Sequence, residues 1–159
     1  EITYEAYGPY GVAIIMDVIT DNKNRSVADI RHILSKYNGK LTENGSVSWM
    51  FEKKGHIIIS SNGIDENTLF EAIINAGAED LQNIDDTYLI STAPEQLLEI
   101  RDNLEDNNYI IQSSELEMVP QTLQRLANNE INLVISLLET LDDNDDVNKL
   151  YSNFDYFEN

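Results

Sequence analysis

His32 and His56 are the chain's two imidazoles, and there is no cysteine. Nucleophilic catalysis needs a nucleophile beside a base. The sequence offers no cysteine, no Gly-x-Ser-x-Gly and no Ser-x-x-Lys. His32 falls on the polar side of a helical stripe and His56 opens a strand, so both read as surface or packing residues. Asp142, Asp143, Asp145 and Asp146 could suggest a cation loop, but the central Gly and terminal Glu of an EF-hand are missing. A solvated helix-to-strand loop is the better reading. Gly8-Pro-Tyr-Gly11 lacks the Lys-Ser/Thr and the glycine spacing of phosphate-binding loops, and reads as a tight turn before a strand. The absence of thiols also excludes disulfides, thiolate zinc sites and iron–sulfur clusters. The residues themselves thus offer no specific catalytic, metal or cofactor motif, and an acidic cleft working with a divalent ion stays open as an alternative.

Recognition chemistry remains. Tyr4, Tyr7 and Tyr10 are followed within a short distance by Lys23, Arg25 and Arg31. Aromatic rings beside basic side chains can stack bases and hold phosphates, although core and loop roles explain the same residues. Charge limits where such contacts could be. Of the 159 residues, 29 are acidic and 10 basic, for a net charge of −19. Residues 1–60 carry seven of each sign, so the whole excess lies in residues 61–159. Phosphate neutralisation dominates nucleic-acid affinity. The acidic part repels nucleic acid over about 8 Å at physiological salt. It also keeps the protein soluble and favours a monomer. Any nucleic-acid contact belongs to the neutral N-terminal third or to a segment not included in this sequence. The start at Glu1, with strand-like residues already in place, suggests a piece of a longer protein.

The elements that must position these residues follow from periodicity. Length and composition suit one domain or two small ones. Residues 11–20 form a short β-branched apolar run, which predicts a buried strand. Ser26 is a candidate N-cap for a helix whose apolar positions are Val27, Ile30, Ile33, Leu34 and Tyr37, stopped by Asn38-Gly39. Residues 40–45 read as loop and 46–51 as a strand. From His56 onward the pattern is a strand at 56–59, a helix around Leu69–Ile74, strands at 80–84 and 87–91, a helix from a Thr92–Glu95 capping box, and a strand within 110–120. That order, β-α-β-β-α-β, is the split-βαβ or ferredoxin-like pattern. An amphipathic helix around 131–141 and a strand at 147–151 complete the first series. The fold class is thus α+β, with two ferredoxin-like domains, the second inserted into the first. The expected division is 1–54 plus 121–159 for the discontinuous domain and 55–120 for the insert. No apolar run approaches the roughly 18 residues that span a membrane.

Read as a series, these segments resemble a known family. Tyr4-Glu-Ala-Tyr-Gly-Pro-Tyr-Gly-Val-Ala13 and Thr20-Asp-Asn-Lys-Asn-Arg25 resemble the start of the second domain of the YebC/PmpR family, to which mitochondrial translational activators of cytochrome oxidase belong. Gly45-Ser46-Val47 ahead of Phe51 and Gly55, Ala76-Gly-Ala-Glu-Asp80, Thr92-Ala-Pro94, Met118-Val-Pro-Gln-Thr122, Asp145-Asp-Val147 and Tyr151-Ser-Asn-Phe-Asp155 continue it in order. Tyr10 departs from the pattern, standing where the family usually has a second glycine.

The resemblance implies two α+β domains, one interrupted by the other, and a basic helical domain N-terminal to the part present here. It implies a non-enzymatic regulator of gene expression, with no catalytic residue, metal, cofactor or small-molecule substrate, either a ribosome-associated translation factor or a DNA-binding transcriptional regulator. The charge distribution favours the ribosome, since no helix rich in Arg, Asn and Gln offers major-groove readout. The contact candidates for rRNA, tRNA or DNA are Lys23, Arg25, Arg31, Lys36 and Lys40, with Tyr7 and Tyr10 shaping the surface. The compartment would be the cytoplasm of a bacterium, or the mitochondrial matrix or another organelle of a eukaryote.

Overall fold

A computed structural model describes residues 1–156. The chain divides into two compact units, residues 1–52 with 119–159, and residues 53–118. In the first unit, β1 (Ile2–Tyr7) and β2 (Ala13–Val18) form an antiparallel hairpin, followed by α1 (Lys23–Lys36) and the short β3 (Lys40–Thr42). Then β4 (Phe51–Ser60) leads into the second unit, which contains α2 (Glu66–Asn75), β5 (Asp80–Ile84), β6 (Thr87–Thr92) and α3 (Leu97–Asp106). The chain returns along β7 (Ile111–Pro120) and finishes with β8 (Gln124–Leu126), α4 (Asn128–Asp142), β9 (Val147–Ser152) and β10 (Phe154–Tyr156).

Four strands of the first unit lie in the order β3-β1-β2-β9, all neighbours antiparallel, and β8 pairs with β10 in parallel. Ala6, Ile14, Met16 and Val18 on one face of this sheet meet Ile30 and Leu34 of α1 and Val134, Leu137 and Leu141 of α4. β2 is central, with Ile15 buried on the opposite face, and so reads in sequence as one apolar run. The second unit has the order β5-β6-β4-β7 and buries Ile57, Ile59, Leu69, Ile73, Tyr88, Ile90, Ile100 and Leu104. That is the ferredoxin-like arrangement. The first unit has the same strand order with one difference in connectivity. The strand that would link β3 to α4 stands at the N-terminus as β1, and the second unit takes its place in the chain. Among the described residues, no helix is long and apolar enough to cross a membrane.

Three local readings are corrected. Residues 46–51 are not a strand: Ser48–Met50 form a 3₁₀ turn, and the edge strand is Lys40–Thr42, which the sequence suggested as loop. The cause is Glu5, which sits in β1 at 5 % exposure, opposite Ile15 and Thr42. Its Oε2 accepts from the Gly45 N–H at 2.6 Å, and its Oε1 from Val47 and Ser48 at 2.9 and 2.8 Å. Those N–H groups are thereby spent on a carboxylate and not on a ladder. The α1 N-cap is Asn22, whose side chain accepts from the Arg25 N–H, whereas Ser26 is fully buried inside the helix. At 92–95 there is no capping box. Thr92 ends β6, and a 3₁₀ turn at Pro94–Gln96 precedes α3.

Burial raises the Glu5 pKa, but the donors of Gly45, Val47 and Ser48 lower it further, and the net position is below the ordinary 4.5. A carboxyl whose folded pKa is depressed contributes stability above its unfolded pKa and loses it as pH falls through the folded one. Glu5→Gln is expected to cost about 2–3 kcal/mol in urea denaturation at pH 7, the scale of hydrogen bonds to a charged group. The gap from wild type should begin to narrow as pH falls below about 4.3, the unfolded glutamate value, and close at lower pH. A cost under about 0.5 kcal/mol at pH 7 would show that the carboxylate does not hold this loop.

Candidate nucleic-acid interface

The seven residues singled out by sequence do not form one surface. The 14 residues of α1 span about 20 Å and separate two groups. At the N-terminal end, Lys23 is exposed, while Arg25 lies 3.5 Å from Asp21 and 3.3 Å from Asp146. Asp146 also accepts from the buried Ser26 hydroxyl at 2.5 Å, and that hydroxyl lies 2.7 Å from the Thr20 oxygen. The Ser26 hydrogen bond chiefly pulls the Asp146 pKa down, opposed by burial and helped by Arg25 and Thr20. The last carboxylate of the acidic loop is thus a structural tie from the start of α1 to the start of β9, and Arg25 is its counter-ion.

At the other end of α1 the charges are uncompensated. Among the described residues, Arg31, Lys36 and Lys40 have no ion-pair partner, and all three are exposed. At about 100° per residue, Arg31 stands roughly 140° around the helix from Lys36, whereas Arg25 and Lys36 share a flank with Asp29. Lys36 Nζ lies 5.5 Å from the Tyr37 ring centroid, and Lys40 is the register partner of Tyr7. Gly39 makes the close approach between these elements possible. A Cβ there would lie 2.7 Å from the Tyr7 carbonyl oxygen and 3.3 Å from Gly8 Cα.

The Tyr7–Gly11 turn adjoins Lys40. Tyr7 is half-buried, and Tyr10 is 46 % exposed with φ 60 and ψ 25. The Tyr10 carbonyl accepts from Gln124 Nε2 at 3.2 Å. That bond leads to residues the sequence reading missed. Trp49, Met50, Gln121, Thr122, Leu123, Gln124 and Asn153 line a cleft of about 260 Å³. Trp49 is 68 % exposed. Read within a strand, it gave no sign of standing on a turn. The two histidines take no part. His32 is exposed, and His56 is half-buried in the second unit, with its pKa lowered mainly by burial, raised by Glu117 and lowered by Lys54. Among the described residues, no group of three His, Asp or Glu side chains is placed to hold a metal.

Comparison with known proteins places this geometry in context. A family model described as the TACO1/YebC second and third domain matches residues 1–154. A protein of Syntrophus aciditrophicus named "Probable transcriptional regulatory protein" is 46% identical over 155 residues, covering 98% of this chain and 62% of its own length. A protein of the same name from Dictyoglomus turgidum is 47% identical over 156 residues, covering 98% of this chain and 63% of its own. The crystal structure of a conserved hypothetical protein from Aquifex aeolicus matches with a TM-score of 0.88 at 36% identity, over 100% of this chain and 66% of that one. The chain spans just under two thirds of the length of these relatives.

Tyr10 at positive φ carries a left-handed cost of about 1–2 kcal/mol, which glycine avoids while adding about 0.5–1 kcal/mol of chain entropy. Tyr10→Gly is therefore expected to raise the urea midpoint, by about 0.5–1 kcal/mol in stability. A loss of more than about 1 kcal/mol would mean that the ring packs on its surroundings and holds the turn.

Proposed function

The chain belongs to the TACO1/YebC family, and we propose that it is a non-enzymatic regulator of gene expression that contacts ribosomal RNA or tRNA and acts in translation. The observation that carries this reading is the free cationic and aromatic end of the first unit: Lys40 pairs in register with Tyr7 next to the Tyr10 turn, and Lys36 stands at the end of α1 without an ion-pair partner among the described residues. The rest of the protein is unsuited to a long phosphate track: residues 53–118 hold three basic and 14 acidic side chains. A short cationic contact on a chain that is otherwise acidic suits a crowded RNA–protein site better than a duplex groove. On α1, Asp29 shares the flank of Lys36, and Arg25 is already engaged by two carboxylates. That helix is poorly equipped for major-groove readout.

The second reading is a DNA-binding transcriptional regulator, favoured by the names of the bacterial relatives. Its DNA contacts would lie mainly in the part of those relatives that this chain does not span. Either way the working compartment is the cytoplasm or its organellar equivalent.

Co-sedimentation with ribosomes, with excess duplex DNA as competitor and salt varied from roughly 50 to 200 mM, separates the two. Lys36→Glu with Lys40→Glu is expected to weaken ribosome association at least about tenfold and to flatten its salt dependence by about one to two units of slope. Arg25→Ala should change association less than about threefold. Association that survives the double reversal, or that transfers to the DNA competitor, would overturn the ribosomal reading.

A further inference from the structure

Trp49 is the chain's single tryptophan, and it stands largely in solvent on a turn that is firmly held. Trp49 shares its cleft with Leu123, itself 48 % exposed, and an exposed apolar patch, unlike a single exposed side chain, marks a contact site. The rigidity has three sources. Glu5 takes the N–H groups of Gly45, Val47 and Ser48. The indole Nε1 donates to the Ser46 carbonyl at 2.9 Å. The Met50 carbonyl accepts from the Gln121 N–H at 2.8 Å. With its N–H already used, the indole offers a partner its ring faces.

The cleft beside it has a matching character. None of its lining side chains is charged, which leaves a phosphate or an ionised side chain without a counter-ion there. Gln121 and Gln124 instead carry the paired donor and acceptor groups that suit the edge of a flat heterocycle. A volume of about 260 Å³ lies just below the roughly 300–1,000 Å³ of clefts for drug-sized ligands, so it suits one ring and not a whole small molecule. Gln124 also ties the cleft to Tyr10, a second exposed ring, and so to the turn that adjoins Lys40. Phosphates belong on the lysines, and a base belongs in the cleft.

We infer that the Trp49 cleft is a base-binding subsite for single-stranded RNA, in which one unpaired base stacks on the indole and is met at its edge by Gln121 or Gln124. This inference rests on the RNA reading of the function and specifies which RNA feature is taken: a looped-out or single-stranded base, not a duplex.

The test uses two signals at once in the 159-residue chain. Emission from Trp49 reports the cleft, and anisotropy of an end-labelled RNA decamer reports binding anywhere on the chain. Saturable quenching of Trp49 by single-stranded decamers, absent with a duplex of the same sequence, is the expected result. By anisotropy, Trp49→Ala should weaken binding about 5- to 150-fold, the range for losing one base–aromatic stack, and Trp49→Phe should recover most of it. A circular dichroism spectrum and urea midpoint like wild type would show that the alanine variant keeps its fold. Normal anisotropy with no quenching and no effect of Trp49→Ala would overturn the cleft assignment while leaving RNA binding standing. No anisotropy change with either nucleic acid would overturn both. Quenching by an uncharged apolar peptide but not by RNA would reassign the cleft to protein.

Discussion

The first unit depends on one buried carboxylate. Glu5 sits on the face of the sheet that α1 and α4 do not cover, and it is nearly inaccessible to water. A charge in such a place is costly unless its acceptor capacity is filled. Three backbone N–H groups from one short loop fill it. The requirement runs in both directions. The carboxylate needs the loop to be tolerable, and the loop, lacking a strand partner, needs the carboxylate to satisfy its amides. Val47 is buried as a result, and Trp49 is turned outward.

From that constraint the candidate interface follows by short steps. The held loop places Met50 where the Gln121 N–H reaches its carbonyl. The strand after it places Gln124 against the Tyr10 carbonyl, and the Gln124 N–H against the Asn153 carbonyl. Asn153 in turn accepts from the Ala13 N–H at the start of β2. Residues from four distant parts of the chain are thereby fixed around one turn. The opposite end of α1 is built for a different purpose. There Arg25 pairs with Asp146, Ser26 hydrogen-bonds Asp146 and Thr20, and the group secures the helix to β9. The same helix thus has a structural end and an end with charge to spare.

Much of the fold was legible in the sequence because its signals are local. The apolar run of β2, the stripe of Ile30 and Leu34 and the amphipathic face of α4 each follow from period. The 46–51 segment misled because its outcome is set by Glu5, some 40 residues earlier, and propensity carries no such information. Ser26 misled for a related reason. Serine before an apolar stripe is a good N-cap, but Asn22 reached the first turn earlier and Ser26 was taken by Asp146. For the interface, residue types pointed to Lys23, Arg25, Arg31, Lys36 and Lys40, with Tyr7 and Tyr10. The sequence could not show that Arg25 is already paired, nor that Trp49 and Gln124 lie beside the same turn.

The proposed function requires that the C-terminal end of α1, with the turns beside it, meet the RNA. Hydrogen exchange on the free and the ribosome-bound protein tests this most directly, since it reports every backbone region in one experiment. New protection is expected at residues 7–11, 37–50 and 121–126, with residues 20–25 and 142–147 unchanged. Protection confined to 20–25 and 142–147, or to the acidic unit at 53–118, would contradict it.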